Sequence, residues 1–146
     1  MIDTKLAPYG ALLLRVALGA MFIAHALLKI FVFTIPGTVG FFQSLGYPAA
    51  VAYLTIFAEL AGGAALILGI APRLVGLALV PVLIGAMLVH VPNGWVFSAE
   101  NGGWEYPAFL AIAAVTQFLI GDGAAALLRS EKIIPAFSAT TATVNA

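Results

Sequence analysis

The sequence predicts an all-α membrane protein, a four-transmembrane-helix bundle, and three observations predict it. Of the 146 residues, 63% are hydrophobic and 8% are charged, whereas a soluble domain carries about 25% charged residues. Apolar runs occupy residues 8–35, 48–70, 74–91 and 106–128. Each approaches the roughly 20 residues that a helix rising 1.5 Å per residue needs to cross a hydrocarbon core of about 30 Å. The flanking charges are asymmetric: Lys5, Arg73, Arg129 and Lys132 fall on one side, with Arg15 nearest it, and the two longer loops carry Glu100 and Glu105 but no Lys or Arg. The positive-inside rule then places both termini in the cytoplasm of a multi-pass protein of the inner (plasma) membrane.

At this length a single domain is expected, residues 1–128, followed by a flexible tail over residues 129–146. The lipid bilayer is the implied partner. Six basic and six acidic residues give zero net charge, so neither a nucleic acid nor an acidic surface is implied. The chain has no cysteine. That removes disulfides, thiolate nucleophiles, Fe–S ligation and cysteine-based zinc sites, and leaves the redox compartment unread.

The first run, PYGALLLRVALGAMFIAHALLKIFVFTI, precedes the turn signal Pro36-Gly37. Ala24-His25-Ala26 fits a signal-peptidase pattern, but the run continues well past it and is interrupted by Arg15, so an uncleaved helix is expected. Thr38 to Tyr47 is amphipathic, aromatic and too short to span, which suits a loop or an interfacial half-helix. The second run opens on Pro48, where a missing N–H does no harm. Its Ala58/Gly62 and Ala61/Ala65 spacings allow close helix approach. The tight turn around Pro72 makes the second and third runs antiparallel neighbours, and Pro81 with Gly85 predicts a kink in the third. Trp95, Trp104 and Tyr106 read as interfacial anchors around a Gly- and Asn-rich loop.

Within these runs the polar residues are few. His25 and Lys29 are four apart and share a face; Arg15 and Lys29, fourteen apart, lie only about 40° apart around the helix. An ionisable group in hydrocarbon costs about 2.5–3.5 kcal/mol on insertion scales, so this stripe must face partners or a watery cavity. Depth counted from the outer end of each span is about 6 Å for Lys29, 12 Å for His25, and 16 Å for Glu59 and Gln117. Asp122 and Arg15 lie deeper, at about 24 and 27 Å. Two layers result. Arg15 and Asp122 suggest a structural ion pair between the first and fourth helices. Glu59 must be neutralised by a proton or by Lys29 or His25, and it reads either as an ion pair joining two helices or as a proton-handling carboxylate. His25 can change charge near neutral pH. His90 ends the third helix near Asn93, Trp95, Glu100 and Trp104, a candidate docking surface for a protein partner. The two histidines differ by about 10 Å in depth, which argues against shared haem ligation. No HxxH or Glu-x-x-His spacing supports a metal site.

The strings LLLRVALGAMFIAHALLKIF, GFFQSLGYP, FAELAGGAALILGIAPRL, HVPNGWVFSAENGGWEYP and GDGAAALL resemble the DoxX family of small four-helix membrane proteins. The resemblance spans about residues 12–128, with Arg15, His25, Lys29, Glu59 and Asp122 at family-like polar positions. Ala26 departs from it, standing where glycine is expected after the histidine. The resemblance implies a role beside quinone-linked redox chemistry, as a subunit or membrane partner of an oxidoreductase. Lacking cysteine, the chain would leave any thiol chemistry to a partner or cofactor.

The expected function is therefore a membrane subunit holding a quinone between the first two helices, with no haem or Fe–S centre. His25 or Lys29 would bond a quinone carbonyl, Glu59 would move the proton, and Gln117 and Phe22 would help line the site. Two alternatives stand beside it: a non-catalytic anchor or assembly partner, and a proton-coupled small-solute conduit, which would need a homo-oligomer.

Overall fold

A computed structural model describes residues 3–137. Five α-helices follow in order: α1 Ala7–Leu27, α2 Ile35–Ser44, α3 Ala49–Leu68, α4 Pro72–His90 and α5 Glu105–Ile120. Three helical stretches, Ala7–Val32, Ala49–Leu68 and Pro72–Asn93, are long and apolar enough to cross a membrane. The described part of the chain is thus an all-helical membrane-type bundle. It has a "turn end", where α3 meets α4, and a "loop end", where the chain passes from α4 to α5.

The C-terminal third departs from the sequence expectation in two places. The fourth apolar run is helical for 16 residues only, because Gly121 and Gly123 take φ 103° and 78°, values that glycine alone adopts without strain. Beyond α5 the backbone folds back and laces the turn end: Leu128 N–H donates to Gly69 O at 3.0 Å, and Ala71 N–H to Leu128 O at 2.7 Å. Residues 129–137, expected to begin a tail, form two short 3₁₀ turns, Ser130–Lys132 and Pro135–Phe137. Ser130 is fully buried and Phe137 packs edge-on against Phe118. The remainder of the expected tail lies outside the described residues.

Helices α1 and α3 form one intimate pair and α4 and α5 another. The pairs meet over Leu18, Phe22, Leu66, Leu79, Leu83 and Leu110. Close approach of α1 and α3 depends on Gly19 and Gly63, since a Cβ on Gly19 would lie 2.6 Å from Gly63 O and one on Gly63 would lie 2.8 Å from Gly19 O. Of the small residues singled out by spacing, Gly62 meets Leu79 on α4, whereas Ala61 faces outward. Helix α4 runs unbroken through Pro81.

At the loop end α1 does not stop cleanly. Leu28–Val32 is a π-helical turn, followed by Thr34 at φ 62°, ψ 156°. A β-branched residue in that region carries about 1–3 kcal/mol of strain. The Thr34 side chain accepts from Gly37 N–H at 3.3 Å and so caps α2, the short helix that the sequence places slightly later as an interfacial segment.

Candidate functional site

Two polar layers exist, as the depth count requires, but their partners differ from those expected. At the turn end, Arg15 is 1% exposed. Its guanidinium donates to four carbonyls: Leu66 and Ile67, each at 2.7 Å, and Ala124 and Ala125 at 2.9 and 3.1 Å. It therefore caps the C-terminus of α3, whose last carbonyls carry the negative end of the helix dipole, and ties it to the chain beyond α5. Gly69 belongs to the same arrangement, as a Cβ there would lie 2.9 Å from the guanidinium carbon.

Asp122 is not the ion-pair partner of Arg15 that the sequence suggests. Its carboxylate accepts from Ser130 N–H at 2.7 Å and Ser130 Oγ–H at 2.5 Å, and from Arg73 N–H at 3.4 Å. Arg73 is the second residue of α4 and its N–H lies nearer Ser130 Oγ, at 3.2 Å, so Asp122 serves that helix N-terminus, where a carboxylate is favoured, largely through Ser130. Arg73 in turn donates from Nε to Phe118 O at 2.8 Å and from Nη2 to Leu119 O at 3.3 Å, closing the end of α5. Its guanidinium sits 4.9 Å from the Phe137 ring centroid and 5.8 Å from that of Phe118. The turn end is thus a set of helix caps supplied by distant side chains. Two buried polar atoms find no partner among the described residues, Arg15 Nε and Gln117 Oε1. Gln117, expected near Glu59, is fully buried and spends its amide N–H on Gly121 O at 2.7 Å.

Toward the loop end, Lys29 and Glu59 meet as the sequence allows. Lys29 Nζ donates to both carboxylate oxygens, at 2.8 and 2.9 Å, joining the π-turn after α1 to the middle of α3. The Glu59 side chain is 7% exposed and that of Lys29 19%. Neither group has another side-chain partner among the described residues. The carboxylate keeps unused lone pairs, and the ammonium one unused N–H. The Lys29 carbonyl accepts the Thr38 hydroxyl of α2 at 2.9 Å.

His25, one turn before Lys29, has Nδ1 2.8 Å from Met21 O. A carbonyl can only accept, so Nδ1 carries the proton. Nε2 is then an acceptor in the neutral ring and a donor in the charged one. The imidazole stacks on Tyr106 of α5, with centroids 5.9 Å apart. Tyr106, which the sequence marks only as an anchor, lines two grooves at the loop end. One groove, of about 400 Å³, is bounded by Trp95, Phe97, Glu105, Phe109 and Ile112. The other, of about 300 Å³, is bounded by His90, Phe97, Gly102, Gly103 and Pro107. Lys29 and Glu59 line neither, and Phe22, expected to line the site, is a core residue.

The loop between α4 and α5 is itself folded. Near Asn101 O and Gly102 O lie His90 Nδ1, at 3.1 and 3.2 Å, and Asn93 Nδ2, at 3.0 and 2.9 Å. Trp95 and Trp104 meet edge to face at 4.5 Å, and Glu105 accepts from Phe97 N–H at 2.8 Å. Glu100 is exposed. Among the described residues no three His, Asp or Glu side chains cluster as metal ligands would.

This combination, apolar helices around a few deeply placed charges, defines a small integral membrane protein of the all-helical class. The DoxX family model matches residues 10–92, more than half of the chain, and the protein belongs to the DoxX family. A Bacillus subtilis (strain 168) protein named "Putative oxidoreductase CatD" is 43% identical over 68 residues, covering 47% of this chain and 49% of that protein. The chain thus spans about half the length of that curated relative. No solved structure matches it.

Proposed function

We propose that the protein is an integral membrane subunit of a quinone-linked redox system, with its site at the loop end around His25, Lys29, Glu59 and Tyr106. The observation that carries this reading is the Lys29–Glu59 pair, a buried ion pair with hydrogen-bonding capacity left over on both partners. His25 stands one turn away, against the tyrosine that lines both grooves. The grooves' aromatic and aliphatic walls suit a quinone ring and its isoprenoid tail. The free N–H of Lys29, or Nε2–H of a charged His25, suits a quinone carbonyl.

Quinone reduction consumes two electrons and two protons. A partner reductase at the loop of His90, Asn93, Trp95, Glu100 and Trp104 would supply the electrons. His25 and the Lys29–Glu59 pair would pass the protons, and the reverse reaction would return them. In this reading α5 completes a fourth crossing, and both termini face the cytoplasm of the plasma membrane. A reporter active only in the cytoplasm, fused after residue 146, should then be active.

Replacing Glu59 tests the site. In full-length protein reconstituted in nanodiscs, Glu59→Gln should lower quinone-dependent turnover, or quinone binding, by about 10²-fold or more, the loss expected when a general acid–base is removed. Folded yield should stay near wild type, because Gln keeps an acceptor for Lys29. The alternative, a non-catalytic anchor or assembly partner, is favoured by one observation: the pair itself joins α1 to α3 and borders neither groove. Lost yield with unchanged quinone binding in Glu59→Gln would establish that alternative.

A further inference from the structure

The backbone around Lys29 departs from an α-helix in three linked ways. Phe33 N–H is taken by Leu28 O at 2.9 Å, one residue further back than in an α-helix. The Lys29 carbonyl, which would ordinarily receive that N–H, accepts the Thr38 hydroxyl at 2.9 Å instead. Thr34, immediately beyond the turn, holds a positive φ of 62°, and this reversal starts α2 and brings Thr38 back over the turn. Thr38 is 4% exposed. It is the one buried residue of α2, so its place is set by packing.

We propose that Thr38 is a positioning residue: its hydroxyl replaces the missing amide donor on the Lys29 carbonyl, holds Leu28–Val32 as a π-turn, and thereby aims the Lys29 ammonium at Glu59. A carbonyl shielded from water must have a donor. With the hydroxyl present, the π-turn meets that requirement. With the hydroxyl gone, the chain meets it only by returning Phe33 N–H to Lys29 O, which rewinds the turn as α-helix. That rewinding rotates Lys29 about the helix axis and off the carboxylate. Isolated π-turns commonly mark functional positions for this reason: one extra residue redirects a side chain. The inference rests on the site proposed above only for its effect on turnover, and its geometric part is tested separately.

The test is acylation of lysine amines by a small amine-reactive ester in the full-length protein in nanodiscs, quantified by peptide mass spectrometry. Lys5 and Lys132, both exposed, serve as internal references, and Glu59→Ala, which removes the acceptor altogether, marks the rate of a released Lys29. Thr38→Val should raise Lys29 acylation by about fivefold or more, the order expected when a charge-assisted double hydrogen bond opens. Thr38→Ser, which keeps the hydroxyl, should restore the wild-type rate. If Thr38→Val does not accumulate, Thr38→Ala, which adds no atom to the buried position, is read by the same criterion. A Lys29 rate unchanged in the hydroxyl-free variant while Glu59→Ala raises it overturns the proposal. Raised acylation with unchanged quinone-dependent turnover upholds the positioning role and overturns the function assigned to Lys29.

Discussion

The turn end and the loop end of the bundle both bury charge, yet they satisfy it by opposite means. The guanidinium groups of Arg15 and Arg73 spend their hydrogen bonds on backbone carbonyls, and Asp122 spends its own on Ser130 and the Arg73 N–H, so their charges are divided among groups fixed by the fold. Lys29 and Glu59 spend theirs on each other. A charge bound by backbone caps cannot move without fraying a helix. A charge bound by one mobile side chain can be exchanged for a ligand or a proton at much lower cost. The difference separates scaffold from site within a single small bundle.

Arg15 offers the sharpest way to break this distinction. Arg15→Met takes a donor from two carbonyls at the α3 end and two beyond α5; Leu66 O keeps Gly69 N–H at 3.2 Å, and each buried acceptor left orphaned costs about 1–3 kcal/mol. The expected outcome is loss of the folded protein, read as monodisperse yield in mild detergent. Arg15→Lys should rescue little, because one ammonium cannot reproduce a planar fork of donors. Normal yield from Arg15→Met would show that the turn end is no scaffold.

Next in size is the crossing that links the two ends. Gly63→Ala puts a methyl group against the Gly19 carbonyl oxygen, where only 2.8 Å is free. Backbone cannot yield as a side chain does, so α1 and α3 must separate, at about 1–3 kcal/mol. The thermal midpoint in detergent should fall by several degrees. Gly10→Ala, where a Cβ meets nothing within 4 Å, should leave it unchanged. Smaller still is Asp122→Asn. Asn can still accept from one Ser130 group, so about 1 kcal/mol should be lost rather than the whole cap.

Much of this contrast is legible in the sequence, and the missing part has a physical cause. Counting residues along each helix gives height in the membrane, and height correctly separates the Arg15 layer from the Lys29 layer. Height does not give neighbours, however, and it cannot count backbone carbonyls as acceptors. Arg15 and Asp122 therefore pair on paper as opposite charges, although helix ends have first claim on both. The α5 end is visible in Gly121-Asp122-Gly123, but the alanine and leucine run behind it looks helical enough to continue. The π-turn leaves no mark, because periodicity arguments assume i→i+4 bonding throughout. Lys29 and Glu59 can be found because the apolar runs hold so few charges that their choice of partner is narrow.

The smallest expected effect on stability belongs to the loop end. Replacing a buried ion pair by apolar side chains of similar size is often neutral or stabilising, because both desolvation costs vanish together. The double substitution Lys29→Met with Glu59→Met should therefore leave the thermal midpoint at or above wild type, even while any quinone-dependent turnover is lost. The single Lys29→Met, which strands a carboxylate that is 7% exposed, should be less stable than the double. This ordering is the reverse of the turn end, where no apolar pair can supply what the carbonyls need. If the double variant unfolds as readily as Arg15→Met, the two layers perform the same mechanical task and the division into scaffold and site fails.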